Sequence, residues 1–218
     1  MSGLKYIFFD LDGTLTNPAE GITNSVAYAL KYYGISVSDK TQLYKFIGPP
    51  LAQSFTDFYG FSSDKAKEAV EKYREYFADI GIFENKVYEY IPEVLEKLKN
   101  AGFSLAMATS KPEVFAKRIA DKFELTKYFD FIGGSLLDNS RTDKGEVIEY
   151  VLSSLKADRE KTIMVGDRSH DILGAKKCSL KSLGVLYGFG SLEELKNAGA
   201  DYIAETPKEI ETLLLSFK

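Results

Sequence analysis

The chain has 218 residues, enough for one large domain or two small ones, with an ordinary globular balance of 44% hydrophobic and 28% charged residues. A net charge of -4 gives no basic footprint and argues against a nucleic-acid polymer as partner, while the single cysteine, Cys178, excludes an intramolecular disulfide or a cysteine-rich zinc site. No run approaches the ~20 apolar residues of a membrane span, and Asp10 arrives too early for a signal peptide, so the expectation is a cytoplasmic protein with no membrane partner.

The first element is "YIFF", a continuous apolar run of the kind that forms a strand buried on both faces, and it runs directly into Asp10-Leu11-Asp12-Gly13-Thr14. After Asn17-Pro18 the pattern becomes helical. "AEGITNSVAYALKYYG" places Ile22, Val26, Ala29, Leu30 and Tyr33 on one face and stops at Gly34. "LYKFIGPPLAQSFTDFYG" reads as two short helices broken at Gly48-Pro49-Pro50, and "SSDKAKEAVEKYREYFADIG" as a third amphipathic helix. Between Pro18 and about Ile82 nothing reads as a strand.

From Pro92 the rhythm alternates. The expected order is helix "PEVLEKLKNAG", strand "SLAMATS", helix "PEVFAKRIADKF", strand "FDFIGGS", helix "KGEVIEYVLSSL", strand "TIMVGD", helix "SHDILGAKKC" and strand "KSLGVLY". Ser191 with Glu194 forms a capping-box pattern for the next helix, "DYIAE" a short strand, and Thr206-Pro207 the start of the last helix. Alternation of this kind implies a parallel sheet covered on both faces. The fold class is therefore α/β, a doubly wound parallel sheet with an inserted all-helical domain: residues 1–16 and 84–218 form the core, residues 17–83 the insertion. The two crossings, near Leu15-Asn17 and near Phe83-Val87, make a plausible hinge.

Strand ends of a parallel sheet lie on one edge, where open α/β sheets place their ligands. On this edge the pattern gathers Asp10 and Asp12, then Thr109-Ser110-Lys111, then Asp167, with Lys144 opening the helix after "FIGGS". Two carboxylates separated by one residue repel each other unless a cation sits between them. By itself the pair reads either as an acidic turn in solvent or as a metal-assisted nucleophile, and Lys144 either as a solvated lysine or as a functional cation at an unfavourable helix start.

In order and context, "DLDGTLT", "ATSKP", Lys144 before a helix and "GDRSHD" resemble the four motifs of the haloacid dehalogenase (HAD) superfamily of phosphohydrolases. The resemblance covers essentially the whole chain, with the block from Pro18 to Ile82 similar to the family's helical cap over a Rossmann-like core. "FIGPPL" and "SRTDKGEVI" look most like the phosphoglycolate phosphatase and 5′-nucleotidase-like branch. The resemblance implies a phosphatase that uses Mg2+ and forms an aspartyl-phosphate on a small phosphorylated metabolite. In that reading Asp10 is the nucleophile, Asp12 the acid and base, Thr109 a hydrogen-bond donor to the phosphoryl group, and Lys144 its charge partner. Mg2+ would sit on Asp10, Asp167 and the backbone carbonyl of Asp12, with Asp171 holding Lys144 or a water on the metal. Gly13 allows a sharp turn whose N–H groups face the phosphoryl group. Ser110, Lys111 and Arg141 are candidate substrate contacts on the core, and Gly48, Pro49 and Leu51 on the cap. His170, the one histidine, reads as a surface residue.

Within the same superfamily, the dehalogenases lack the second aspartate, which is present here as Asp12. Sugar phosphomutases place a histidine in the cap hinge, and this cap has none. A sugar phosphomutase remains an alternative despite that, as do a phosphonate-cleaving enzyme with a cap lysine (Lys31 or Lys45) and a pyrophosphate hydrolase. Outside the superfamily, a receiver-like signalling module shares the acidic cluster and lysine but is far smaller and lacks the Asp-x-Asp-Gly-Thr run. The oligomeric state is open, a homodimer being one compatible arrangement.

Overall fold

The computed structural model describes residues 3–138 and 140–218. Strand β1 (Tyr6–Phe9) is followed by a tight turn in which Leu11 O accepts hydrogen bonds from the N–H groups of Thr14, Leu15 and Thr16. The two-residue strand β2 (Thr16–Asn17) leads into α1 (Ala19–Tyr32), a 3-10 helix (Lys40–Phe46), α2 (Leu51–Tyr59), α3 (Ser63–Phe77) and a short 3-10 turn (Gly81–Phe83). Strand β3 (Lys86–Val87) then returns beside β2, a pairing that the sequence pattern did not indicate at the two crossings. The first of the two short helices around Gly48-Pro49-Pro50 is thus 3-10 in character.

The chain continues through α4 (Ile91–Asn100), β4 (Ser104–Pro112), α5 (Glu113–Lys122), β5 (Phe131–Ser135), α6 (Lys144–Leu155), β6 (Thr162–Gly166), α7 (Ser169–Lys177), β7 (Lys181–Val185), α8 (Leu192–Ala198), β8 (Tyr202–Ala204) and α9 (Pro207–Leu215). Six strands form one sheet in the order β5-β4-β1-β6-β7-β8, and every neighbouring pair is parallel. The strand order reverses beside β1, between β1 and β6, which opens a crevice at their carboxyl ends. Ile7, Phe8 and Phe9 point alternately to the two faces and all are fully buried, so both faces are covered. On one face Phe8, Ala106, Ala108 and Met164 pack with Val147, Ile148, Val151 and Leu152 of α6 and with Ala175 of α7.

Two compact units result: Met1–Thr16 with Val87–Lys218, and Asn17–Lys86. In the smaller unit the aromatic rings of Phe46, Phe55 and Phe61 form the centre, with Phe46 and Phe55 edge-to-face at 5.1 Å and Phe55 stacked on Phe61 at 5.8 Å. Tyr73 is buried there, whereas Tyr28 and Tyr32 are exposed.

Two local features depart from the sequence pattern. Strand β4 runs on to Pro112, with a register shift against β5 between Ala108 and Pro112, so the "TSK" segment is a bulge within the strand. The capping box of α8 is only half made. Ser191 Oγ accepts from the N–H of Glu194 at 3.1 Å, but the Glu194 carboxylate turns to the N–H of Ser169 (2.8 Å) and to Arg168 Nε (3.0 Å). A charged donor and a helix N-terminus on α7 outcompete the local backbone partner.

Candidate active site

Asp10 follows β1 and its N–H continues the ladder to Val165 O at 2.9 Å, which fixes its backbone at the crevice. Asp167 follows β6, and Lys144 opens α6 beneath Asp143, whose carboxylate accepts from the N–H of Gly145 at 2.9 Å. Asp171 lies one turn into α7 and accepts from the N–H of Arg168 at 3.1 Å. These placements bring Lys144 Nζ to 2.8 Å from Asp10 Oδ1, 2.8 Å from Asp171 Oδ1 and 3.1 Å from Ala108 O. Asp10, Asp167 and Asp171 each bring a carboxylate oxygen within 4.8 Å of the other two. All four side chains are buried.

Burial works against the Lys144 ammonium but is outweighed by Asp10 and Asp171, which hold its pKa above the ordinary lysine range. Burial, with Asp171 and Asp10 nearby, pushes the Asp167 carboxyl well above the usual carboxylate range. Asp171 is likewise raised by burial, with Lys144 opposing the rise.

Asp12 takes a separate course. Its carboxylate is paired within the site: Lys111 Nζ lies 2.6 Å from Oδ2. The bulge in β4 accounts for this, since Thr109 Oγ1 accepts from the N–H of Lys111 at 3.3 Å and buckles the strand end. Burial raises the Asp12 pKa, with Lys111 acting against the rise. Asp12 Oδ1, Thr14 Oγ1 and Asp167 Oδ1 are buried without a hydrogen-bond partner among the described residues. Buried oxygens left this way are costly unless something else meets them.

This arrangement fits a divalent cation. Ionised together, the three carboxylates would outnumber the one ammonium by two charges in a buried site, a balance that a divalent cation meets, and carboxylate oxygens suit Mg2+. Gly13 has φ +88°, and a Cβ there would stand 2.2 Å from Asp167 Oδ2, so the turn passes too close to the acidic cluster for any side chain.

Thr109 is buried and Ser110 half-buried, both on the β4 bulge beside Lys111. Arg141 is committed elsewhere: Nε donates to Gly134 O at 2.8 Å, Nη2 lies 3.3 Å from Glu113, and the guanidinium stacks 3.7 Å above the Tyr150 ring. In this structure it braces the loop before α6 and does not point a free cation at the aspartates. Gly48, Pro49 and Leu51 lie in the smaller unit at the turn into α2. His170 is exposed.

Sequence reasoning missed the segment Tyr187–Gly190 after β7. The N–H of Phe189 donates to Asp167 Oδ2 at 2.8 Å, and the Tyr187 hydroxyl donates to Thr14 O at 2.8 Å. The signal was the "GFG" run at a strand end on the same edge.

A family model described as haloacid dehalogenase-like hydrolase matches residues 7–185. The chain belongs to that family. Among relatives, a 5′-nucleotidase of Pseudomonas aeruginosa is 50% identical over 197 residues, covering 89% of each chain. A phosphoglycolate phosphatase of Vibrio parahaemolyticus is 28% identical, covering 95% of this chain and 94% of its own. The crystal structure of a predicted phosphatase from Clostridium acetobutylicum superposes with a TM-score of 0.97 at 50% identity, covering 99% of this chain and all of the other. By enzyme class this HAD protein is accordingly a phosphatase. Among the described residues no helix is long and apolar enough to cross a membrane.

Proposed function

We propose that this HAD phosphatase is a Mg2+-dependent phosphomonoester hydrolase that passes the phosphoryl group through Asp10. Its substrate in this reading is a small cytoplasmic metabolite, a nucleoside 5′-monophosphate first and phosphoglycolate second. The observation that carries the mechanism is the buried cluster of Asp10, Asp167 and Asp171, with Lys144 paired to Asp10 and Asp171. The order of substrates is supported by the 50% identity to a protein named 5′-nucleotidase.

Asp10 and Asp167, with the Asp12 carbonyl oxygen, would hold Mg2+, which supplies positive charge against the phosphoryl oxygens. A carboxylate oxygen of Asp10 attacks phosphorus, and the bond from phosphorus to the leaving oxygen breaks with its electron pair on that oxygen. Asp12 gives the leaving oxygen a proton. Its Oδ1 is the oxygen available for this, since Oδ2 is held by Lys111, and burial favours the protonated form. In the second step Asp12 takes a proton from water, the water oxygen bonds to phosphorus, and the Asp10–phosphorus bond breaks, returning Asp10 and releasing phosphate. Lys144 offsets charge on Asp10 throughout, and Thr109 would donate its hydroxyl to the phosphoryl group.

The test is a panel of nucleoside 5′-monophosphates, phosphoglycolate, sugar phosphates and pyrophosphate, ranked by kcat/KM with Mg2+ and with chelator. Nucleoside monophosphates should lead, and chelator should abolish turnover of every substrate. Full turnover in chelator would overturn the metal reading, and a sugar phosphate or pyrophosphate at the head of the ranking would overturn the substrate reading.

A further inference from the structure

Strand β7 ends at Val185, on the same sheet edge as the carboxyl ends of β1 and β6. The segment Tyr187–Gly190 then lies directly on the two turns that carry the aspartates. A Cβ at Gly188 would stand 2.4 Å from Asp167 Cβ and 2.4 Å from Gly13 O, and one at Gly190 would stand 1.9 Å from Asp167 O. These glycines are close-approach positions, where any side chain would force backbone apart.

Two hydrogen bonds tie the segment down, and each acts on a different turn. The Phe189 N–H occupies Asp167 Oδ2 at 2.8 Å, while Asp167 Oδ1 stays buried with no partner. The Tyr187 hydroxyl meets Thr14 O at 2.8 Å, in the turn that contains Asp12 and Gly13. The Tyr187 ring is in turn met edge-to-face by Tyr88 at 4.9 Å, and the N–H of Tyr88 donates to Leu15 O at 3.1 Å in the same opening turn. One strap thus grips Asp167 and the opening turn together.

We infer that Tyr187–Gly190 is a positioning strap for Mg2+ binding, with Tyr187 as its anchor. The strap holds one oxygen of Asp167 on the Phe189 amide, so that the other is the one presented to the cation. Through the Tyr187 hydroxyl it also sets the distance between Asp167 and the Asp12 backbone carbonyl. Carboxylate ligands are commonly oriented by such hydrogen bonds, and losing one weakens metal affinity by about 10–100-fold. This inference rests on the metal reading of the preceding subsection and adds residues that the four motifs do not contain.

The experiment is calorimetric titration of Mg2+ into the full chain without substrate, alongside thermal melting of the metal-free protein. Tyr187→Phe removes one hydroxyl and keeps the ring against Tyr88. Its Mg2+ dissociation constant should rise about three- to tenfold, less than for a direct hydrogen bond to a ligand, with the metal-free melting temperature nearly unchanged. Gly188→Ala should raise it more than tenfold. An unchanged dissociation constant in Tyr187→Phe, with or without a lower melting temperature, would show a strap that serves folding only and would overturn the inference. A wild-type chain that takes up no Mg2+ would overturn the metal reading, and the strap's role with it.

Discussion

Replacing Lys144 by Met tests the electrostatics of the site most severely. The change removes an ammonium that lies 2.8 Å from both Asp10 and Asp171 and 3.1 Å from Ala108 O, yet keeps a stem of similar length. Side-chain exposure is 5% for Lys144, 8% for Asp10 and 1% for Asp171, so solvent screens these contacts little. Removing one partner of a buried ion pair leaves an uncompensated charge and costs about 3–5 kcal/mol. With a urea m value of ~2 kcal/mol/M, the unfolding midpoint should fall by about 1.5–2.5 M. The assay is urea unfolding followed by circular dichroism in chelator, so that no divalent cation substitutes for the lysine. The pH dependence has a definite sign. Burial pushes the Asp171 carboxyl up to about 6 in the folded protein, above its value in an unfolded chain, so its ionisation costs stability that returns as pH falls through that value. Lys144 opposes this rise, so its loss moves the Asp171 pKa higher still. The deficit of the variant should therefore be full at pH 8 and shrink toward pH 5.5. A deficit below ~1 kcal/mol at pH 8, against the 3–5 expected for a buried pair, or one that is the same at both pH values, would refute the assignment of Lys144 as the buried counter-charge.

Asp12→Asn should slow alkyl phosphates by about 100-fold or more while sparing aryl phosphates, whose leaving groups need no proton, as steady-state kcat would show; equal losses on both would remove Asp12 from the acid role. Cys178 is buried with Sγ donating to Gly145 O at 3.3 Å, and burial pushes its pKa up to about 12. A thiol-exchange reagent at pH 8 should leave the native chain unlabelled and react once it is unfolded, because the thiolate is the reactive form; rapid native labelling would contradict that placement.

Several of these features are legible in the amino-acid sequence. The apolar run before Asp10 identifies a doubly buried strand because no polar residue interrupts it to mark a solvent face. Asp167 and Lys144 converge with it because parallel strands end on one edge, whatever the intervening length. The Lys111–Asp12 pair was not legible. It depends on a bulge in β4, and a bulge leaves no mark in a strand that is covered on both faces and so shows no alternation. Glu194 misled for a related reason: a capping-box spacing is a local rule, and here a distant helix start and Arg168 win the carboxylate. The pattern "KSLGVLY" carries β7 on through Tyr187, whereas the strand ends at Val185, and the close approach of backbone to Asp167 is a tertiary fact that Gly188 and Gly190 only permit. Arg141 was weighed as an anion contact, but the Gly134 carbonyl, Glu113 and the Tyr150 ring already hold its guanidinium.

The central claim, that the phosphoryl group passes through Asp10, is tested most directly by trapping the covalent intermediate. Rapid acid quench during turnover of a radiolabelled phosphomonoester, followed by peptide mapping, locates the labelled residue. A hydroxylamine-sensitive acyl phosphate should appear on Asp10, formed and lost at rates compatible with kcat, and be absent in Asp10→Asn. Label on another residue such as His170, or full turnover by Asp10→Asn, would contradict it.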